Sequence, residues 1–518
     1  MNNLQANICL LAVTLCWSCE VIIYSVIPDG INPFATTCIT SLIGALLLGA
    51  CFARRIVAAF RRDGRVLARR IVALSVMNTS YNVFYLVGLD YFDVSTGAFT
   101  ISMTVVVLPV MLFAMRRGVG ARTWISAGCV LAGIIVAMGP SLQSSQIEGL
   151  LIMGVGCIIR AVYIVKVNDW AREHDPITLS AGMLGLNAVI AYIPWLAMQP
   201  STFAALPWTG ELVAAYFIYS YFIASFATAL NVFAQRRATA TQSTIIYSIE
   251  IVLSTIWATC LPPSIVDPIE LTVPIVLGCV LIVVGNLIEI VHIGPKKEAD
   301  GPEAGDAPAW DSGGGVAAHA SDLVSTVLTK IKEPLFRKVT LFFILLAIYM
   351  VIALPFKVLE VIPGFTDIRP VDMLQPIFGI FCGIPGCFAC AVGNLIGDIA
   401  SDSLRLSSIA GFAANFLSPF LMYLFWTRLR KKPFDLRRGR SIGLFVVVVA
   451  VCALLQAAII TPNVAYFYPD VDAGLFFVSV VANDIFFPIG FAIPSIIMLQ
   501  EELGIRPRGP RKPRNGLE

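Results

Sequence analysis

The chain has 518 residues, of which 58% are hydrophobic and 13% are charged, and its mean hydropathy is +0.82. These proportions leave too few polar residues to cover a soluble fold of this length, so a soluble protein is excluded. We predict an all-α polytopic membrane protein whose surroundings are the lipid bilayer. The formal net charge is only +3, and we expect no nucleic-acid partner.

Catalytic and metal chemistry find little support in the sequence. The three histidines, His174, His292 and His319, lie far apart, and nearly all of the 13 cysteines fall within apolar stretches. We therefore expect no metal, no cofactor and no disulfide framework. Because no nucleophile and base form a recognisable constellation, we expect that the protein is not an enzyme.

Ten apolar segments precede residue 294, each close to the roughly 17 to 25 residues that a transmembrane helix needs. The first segment has no basic residues before it and no small-residue cleavage site after it, so we predict a retained helix rather than a signal peptide. The segments lie near 4–27, 34–53, 71–89, 97–115, 123–140, 149–168, 178–198, 212–234, 243–261 and 271–293.

The loops between these segments alternate in charge. One set is basic and includes the loop 54–70, which carries seven arginines. The other set contains no Lys or Arg and consists of the loops around 28–33, 90–96, 141–148, 199–211 and 262–270. The positive-inside rule therefore places the basic loops, the N-terminus and the residues after the tenth span in the cytoplasm.

An internal repeat relates the two halves of this region. The sequence Gly-Cys-Val-Leu occurs at 128–131 and again at 278–281, and a further glycine follows each copy, at Gly133 and Gly285. Because the copies are five spans apart, the second must cross the membrane in the opposite direction. Inverted repeats are typical of transporters, whose halves rock about a site near the bilayer midplane. The alternative is a chance match between glycine-rich helices.

Five of these spans carry a family resemblance. The residues are Trp17-Ser18 in span one, TGAFTISMTVVVLPV with Pro109 in span four, ATATQSTIIYSIEIVLS with Glu250 in span nine, and the two Gly-Cys-Val-Leu helices. In order and spacing they resemble the EamA repeats of the drug/metabolite transporter superfamily over about residues 1–293. The resemblance implies a secondary transporter of small metabolites with five plus five helices. One departure is Ile251, where the family has a proline after the glutamate.

Three ionisable residues, Glu20, Arg160 and Glu250, fall inside the predicted spans. A charge at the bilayer centre costs about 2.5–3.5 kcal/mol on insertion scales, so it usually faces a partner or a water-filled cavity. We expect a pair or triad among them that binds a charged substrate or couples transport to protons. The alternative is a structural ion pair between the repeats.

Polar and aromatic side chains within the spans are candidates for the substrate path. We assign substrate contact to Tyr81, Asn82 and Tyr247. The alternative is that these side chains form hydrogen bonds between helices, which is the commoner role of such residues in membranes.

Residues 294–320 differ from everything around them, since 16 of the 27 are Gly, Pro or Ala and no apolar periodicity is present. A segment of this kind cannot bury a core, so we predict a flexible cytoplasmic linker. The following sequence SDLVSTVLTKIKEPLF has apolar residues at helical spacing and lysines beside them. It predicts an amphipathic helix on the cytoplasmic surface, ending at Pro334.

Six further spans are predicted near 339–356, 373–386, 387–403, 407–427, 441–461 and 473–499. The loop 428–440 and the tail after residue 504 are basic and therefore cytoplasmic. Three crossings must then fit between about 373 and 427, so the second and third helices are short, or one is re-entrant. Lys357 and Arg369 fall on the outer side, against the usual charge bias, and we predict a folded loop there.

This part of the chain has its own resemblance. An arginine stands before a glycine-rich span that contains the run Gly393-Asn394-Leu395-Ile396. The pattern is similar to S components of energy-coupling-factor vitamin transporters, especially the QueT-like family, over about 339–500. The similarity implies six helices and an outward-facing ligand pocket. It also implies a partner complex of a coupling subunit and two ATPases, because the chain has no Walker motif.

A guanidinium together with carboxamides and carboxylates can bind a polar heterocycle through paired hydrogen bonds. The candidate residues for such a site are Arg369, Asp372, Asn394, Asp398, Asn463, Asn483 and Asp484. The alternative is that Asn394 and Asp398 only cap or bridge short helices.

Together these patterns predict a fused transporter of the cell membrane with its N-terminus, linker and C-terminus in the cytoplasm. The predicted domains are two EamA repeats at 4–140 and 149–293, a linker at 294–334, a six-span S-component-like domain at 335–504 and a basic tail at 505–518. A second interpretation keeps the carrier but makes the last domain a ligand sensor or regulatory membrane module. An intramembrane enzyme is a weaker third interpretation.

Overall fold

The computed structural model of the chain describes residues 1–24, 27–28, 31–89, 103–138, 146–198, 206–260, 271–290, 334–362, 365–430 and 434–507. Within these ranges nine helices are long and apolar enough to cross a membrane, and five shorter apolar helices accompany them. The all-α polytopic membrane fold is thus confirmed. The described residues fall into two compact units, one within residues 6–314 and the other formed by the first five residues and those after 314. The predicted linker and its amphipathic helix lie outside the described residues.

The first unit contains a helical element for each of its ten predicted spans. Their bounds are Asn3–Ser18 with Glu20–Tyr24, Pro33–Leu89 for the second and third spans together, Thr104–Ala114, Ala121–Met138, Gln146–Ala171, Pro176–Met198, Gly210–Gln235, Ala240–Tyr247 with Ile249–Cys260, and Val273–Ile290. The first and ninth spans are each broken into two helices. Part of the family motif in the fourth span, before Met103, lies outside the described residues.

The basic segment 54–70, which we expected to be a loop, is helical. A single helical element runs from Pro33 to Leu89, with non-helical backbone at Phe52 and Asp63. The prediction of a loop was wrong because it relied on charge alone. Arginine, alanine and leucine are all strong helix formers, and they make up most of this segment.

The two Gly-Cys-Val-Leu helices, spans five and ten, pack directly against each other. A Cβ atom on Gly133 would lie 2.7 Å from the carbonyl oxygen of Gly278, and one on Gly278 would lie 2.5 Å from that of Gly133. Farther along, Ser126 Oγ donates to the carbonyl oxygen of Gly285 at 2.6 Å. Residue numbers fall along one helix as they rise along the other, so the two helices are antiparallel. This is the orientation that an inverted repeat requires.

The second unit contains a helical element for each of its six predicted spans, and four of these elements are long and apolar enough to cross a membrane. The six elements are Pro334–Ala353, Pro370–Cys382, Ile384–Ala400, Ser407–Leu429, Gly439–Phe467 and Ala473–Glu501. A 3₁₀ turn at Leu354–Val358 and a hairpin of strands Glu360–Ile362 and Thr366–Asp367 connect the first two. The hairpin supports the prediction of a folded loop, although its Pro363-Gly364 tip lies outside the described residues.

The second and third of these helices are short and are joined through a single residue. Gly383 links them with a φ of 66°, a conformation that favours glycine. A Cβ on Gly386 would lie 2.5 Å from the carbonyl oxygen of Phe378, so the third helix begins in direct contact with the second. This tight junction places three helices within the short stretch between 370 and 429.

Candidate functional site

Helices of both repeats surround a cavity of about 310 Å³ in the first unit, here named the central cavity. The six residues that the sequence predicted for this module all line it: Glu20, Tyr81, Asn82, Arg160, Tyr247 and Glu250. Charged, aromatic and amide side chains from distant parts of the chain therefore line one cavity. This is the arrangement expected of a polar substrate site within an apolar bundle.

Both carboxylates of the central cavity sit where a span is broken. Glu20 lies in the first turn of Glu20–Tyr24, directly after the first helix ends, and Glu250 lies in the first turn of Ile249–Cys260, directly after the break at Ser248. Helix N-termini carry partial positive charge and stabilise a nearby carboxylate. Discontinuous helices of this kind form the binding sites of many secondary transporters.

Hydrogen bonds from other helices hold these two breaks. Trp257 Nε1 donates to Ser18 Oγ at 3.0 Å, and Asn286 Nδ2 donates to Ser248 Oγ at 3.0 Å. Tyr219, which begins a π-helical stretch ending at Ala227, donates its hydroxyl to Glu20 Oε1 at 2.5 Å. π-helical turns are frequent at functional sites because they redirect side chains.

Arg160 is the cationic group of the cavity. Its Cζ atom lies 5.8 Å from the centre of the Tyr81 ring, and that ring lies 5.7 Å from the ring of Tyr163. Within the described residues no salt bridge joins Arg160 to Glu250, although both line the same volume. The expected pair or triad is thus a shared cavity rather than a direct ion pair between these two residues.

Two amides on the cavity wall differ in their bonding. Asn231 Oδ1 accepts from the Tyr247 hydroxyl at 2.5 Å and from Gln235 Nε2 at 2.9 Å, so it belongs to a closed network. Asn187 is only 6% exposed, and its Oδ1 has no hydrogen-bond partner among the described residues. An unpaired buried acceptor facing a cavity is well placed to receive a donor from a ligand. Nothing in the sequence distinguishes Asn187, because asparagines in spans usually form hydrogen bonds between helices.

The second unit contains a smaller polar pocket of about 70 Å³. It is here named the outer pocket after the outward orientation that the loop charges predict for this end. Of the predicted residues, Arg369, Asn394 and Asp398 line it. Hydroxyls from the loop and helix after Ala400 and apolar side chains of the last two spans complete its wall. The members from these parts are Ser401, Ser403, Ser407, Ser408, Ile460, Val464, Phe476 and Val480.

Arg369 is held from three directions. Its Nη2 donates to Asn394 Oδ1 at 2.6 Å, its Nε lies 3.7 Å from Asp372 Oδ2, and its backbone N–H donates to Asn483 Oδ1 at 2.9 Å. Asn483 also donates from Nδ2 to the carbonyl oxygen of Asp367 at 3.2 Å. The guanidinium thus reaches the outer pocket from a fixed position, tied to Asn394 and Asp372.

Beneath Arg369 lies a buried amide network that sequence reasoning missed. Gln375 Nε2 donates to Asp372 Oδ1 and to Asp484 Oδ1, both at 3.1 Å, and Ser418 Oγ donates to Gln375 Oε1 at 2.5 Å. Asp372 and Asp484 are therefore support for the site rather than its lining. Asn463 lies apart from both, since its amide donates to the carbonyl oxygen of Ile459 in its own helix.

Two further cations stand at the rim of the outer pocket. Lys357 Nζ lies 3.3 Å from Asp367 Oδ2 and 3.5 Å from Asp398 Oδ1, bridging the hairpin and the third helix. The Arg405 guanidinium lies over the Phe365 ring at 4.0 Å, a cation–π contact. Arg405 was missed in the sequence because it occurs in a short polar loop where a solvated charge is ordinary.

The structure also bears on metal and thiol chemistry. Two pairs, Cys16 with Cys19 and Cys387 with Cys390, have the Cys-x-x-Cys spacing, but no disulfide joins either pair. No group of three His, Cys, Asp or Glu residues within the described ranges is placed to hold a metal ion.

A comparison with known protein families finds a match within the first unit. The profile of the EamA-like transporter family matches residues 4–139. The first five-span repeat is therefore similar to this family of transporters, and the chain is a multi-pass membrane protein with a transporter segment. The match ends before the second repeat and does not extend to the second unit.

Other comparisons are less specific. No curated protein matches the chain. A solved structure titled "Crystal structure of protein" is 20% identical, covers 56% of this chain and 96% of its own, and has a TM-score of 0.45.

Proposed function

We propose that the protein is a carrier of small polar metabolites whose substrate binds in the central cavity and is exposed alternately to the two sides of the membrane. The observation that carries this proposal is the pair of broken spans that bring Glu20 and Glu250 to one cavity. A cavity with carboxylates and a guanidinium at membrane depth is expensive to build, so it is expected to serve a charged or strongly polar ligand. The antiparallel contact of spans five and ten supplies an axis for the rocking motion.

Glu250 is proposed to couple transport to protons. It lies in the ninth span at the family's signature position, in the same cavity as Arg160 and the unpaired Asn187 acceptor. A carboxyl group that exchanges its proton as the cavity opens to either side can drive an antiport cycle. Arg160 and Tyr81 are proposed to bind the substrate beside it.

For the second unit we propose an S-component-like domain that binds a polar ligand from outside the cell in the outer pocket. Its support is the six-helix count and the fixed Arg369 guanidinium beside Asn394. Paired donors and acceptors of this kind suit a polar heterocycle. Delivery to the cytoplasm then requires a coupling subunit and two ATPases on other chains.

The full-length protein in proteoliposomes provides the test. We expect Glu250→Gln to stop proton-coupled metabolite transport while ligand binding at the outer pocket is unchanged, and Arg369→Lys to weaken that binding while carrier transport is unchanged. If Arg369→Lys alters carrier transport instead, the second unit is a sensor or regulatory module. If neither variant changes transport or binding, both proposals fail.

A further inference from the structure

The helical connector between the second and third spans, residues 53–70, forms a bent arm that we name the basic elbow. It follows the non-helical residue Phe52 and bends again at Asp63. Both of its ends are held by the turn that follows Ala171. Arg55 forms a salt bridge with Asp175, and Arg70 Nη1 lies 2.5 Å from Glu173 Oε2. The elbow is therefore held at both ends by one neighbouring turn.

The basic elbow has two distinct faces. Its inward face contains Leu67, which is 1% exposed, together with the paired Arg55 and Arg70. The outward face carries four exposed arginines that make no hydrogen bond or salt bridge with any described residue: Arg54, Arg61, Arg65 and Arg69. They are spaced by seven, four and four residues, which places them along one side of a helix despite the bend.

Exposed apolar side chains flank this arginine row. Val57, Phe60 and Val66 are 48%, 39% and 49% exposed. The acidic residue within the elbow, Asp63, is already paired with Arg62 at 2.8 Å. A surface with unpaired guanidinium groups beside apolar side chains is complementary to a lipid headgroup region, where phosphates lie next to acyl chains.

We propose that the outward face of the basic elbow binds the phosphates of anionic phospholipids in the cytoplasmic leaflet. Both ends of the elbow continue directly into membrane spans, so its arginines lie within reach of the headgroups. Guanidinium groups bind phosphate oxygens through paired hydrogen bonds. This inference rests on the orientation that the loop charges predict and not on the identity of the transported substrate.

The test compares full-length proteins reconstituted in phosphatidylglycerol and in phosphatidylcholine nanodiscs. We expect hydrogen exchange of residues 53–69 in the wild type to slow several-fold in phosphatidylglycerol. The main variant changes four arginines to Gln: Arg54, Arg61, Arg65 and Arg69. We expect this variant to show no difference in exchange between the two lipids. Its retention of phosphatidylglycerol in native mass spectra should fall by roughly tenfold or more. The same four positions changed to Lys should retain most of the lipid.

The matched control changes four other exposed arginines to Gln: Arg116, Arg428, Arg438 and Arg440. We expect this variant, with the same loss of charge, to keep wild-type exchange in the elbow. Equal loss of lipid in both Gln variants would show that lipid retention depends on the net charge of the protein and not on the elbow, which would overturn the proposal. Equal exchange of the wild-type elbow in the two lipids would overturn it without any variant. Protection by soluble glycerol phosphate in phosphatidylcholine would assign the site to a soluble anion instead.

Discussion

At the scale of single residues, the two amides on the wall of the central cavity differ in how much stability the protein should lose when each is removed. Asn231 accepts two hydrogen bonds from buried donors, whereas the Asn187 oxygen accepts none from the residues that the structure describes. Removing a partner from a buried donor costs about 1–3 kcal/mol, but removing an unpaired acceptor leaves nothing unsatisfied. An unpaired buried oxygen that lines a cavity therefore indicates a ligand contact rather than a structural one.

We expect Asn187→Leu to leave the thermal midpoint near or above that of the wild type while raising the KM for transport. The comparison variant, Asn231→Leu, should lower the free energy of unfolding by about 1–3 kcal/mol, because the Tyr247 hydroxyl and the Gln235 amide lose their acceptor. Thermal unfolding and proteoliposome uptake measure the two effects. A strong loss of stability in Asn187→Leu, with an unchanged KM, would make this residue structural.

Glu250→Gln is expected to leave the protein folded and to abolish or uncouple transport by the first module. Glutamine has nearly the shape of glutamate but cannot exchange a proton, so transport should lose its response to a pH gradient. Uptake measured with and without an imposed gradient checks this expectation. Wild-type activity with an unchanged pH dependence would show that Glu250 has no part in coupling.

For Arg369→Lys we expect two losses at once. A lysine cannot reproduce the planar contacts to Asn394 and Asp372, so the ligand-free protein should lose about 1–3 kcal/mol of stability. The affinity for a polar heterocyclic ligand should fall strongly because the guanidinium also lines the outer pocket. The thermal midpoint with and without ligand separates these effects. A destabilised variant that still responds fully to ligand would reject the binding assignment.

Charged residues and amide residues differ in how well their roles can be predicted from the sequence. Glu20, Arg160 and Glu250 could be predicted as cavity residues because a charge within the bilayer is energetically costly unless it faces a partner or a water-filled cavity. The Gln375 network could not, since Gln375 and Ser418 are ordinary polar residues in the sequence. They acquire a role only when their two helices meet a third that carries Asp484. Asn463 shows the reverse, a polar residue predicted for the outer pocket that bonds within its own helix.

At the scale of helices, hydropathy predicts where spans lie but not where they break. The ten apolar windows of the first unit all contain helices. The breaks at Cys19 and Ser248, which position both carboxylates, contain no glycine or proline from which they could be predicted. They depend on hydrogen bonds from Trp257 and Asn286, which belong to other helices. Tertiary contacts of this kind override local propensity and leave no periodic signal in the sequence.

The contact between the repeat helices offers a test at this scale. We expect Gly278→Ala to destabilise the first unit by about 1–3 kcal/mol, because its Cβ would meet the Gly133 carbonyl oxygen at 2.5 Å. Gly128→Ala is the matched control, since a Cβ there meets nothing within 4 Å and alanine favours the helix. Thermal unfolding in detergent measures both variants. Equal stability of the two would mean that the repeats do not meet through Gly278.

At the scale of the whole molecule, the sequence predicted the apolar helices better than the connections between them. Each apolar window contains a helical element among the described residues, and nine of these helices are long and apolar enough to cross a membrane, where a segment must satisfy its own backbone. The connector 54–70 was misread since one cluster of arginines is compatible with either a loop or a surface helix. The small hairpin before Pro370 was expected only as a folded loop, because residues 360–367 are too few to show strand periodicity.

The span count makes a prediction about the sidedness of the entire chain. Single-cysteine labelling from outside and inside the cell should find positions 64, 301 and 435 cytoplasmic and positions 30, 145 and 467 external, in a background lacking the native cysteines. Ten crossings bring residue 301 back to the side of the N-terminus, and six more return the C-terminus there, as the basic loops require. Position 64 lies next to the bend at Asp63, 435 in the non-helical segment before Gly439 and 467 at the end of a helix. Positions 30, 145 and 301 lie outside the described residues. External labelling at 301 would break the ten-span count and with it the inverted repeat, because an odd number of crossings cannot hold two five-span halves.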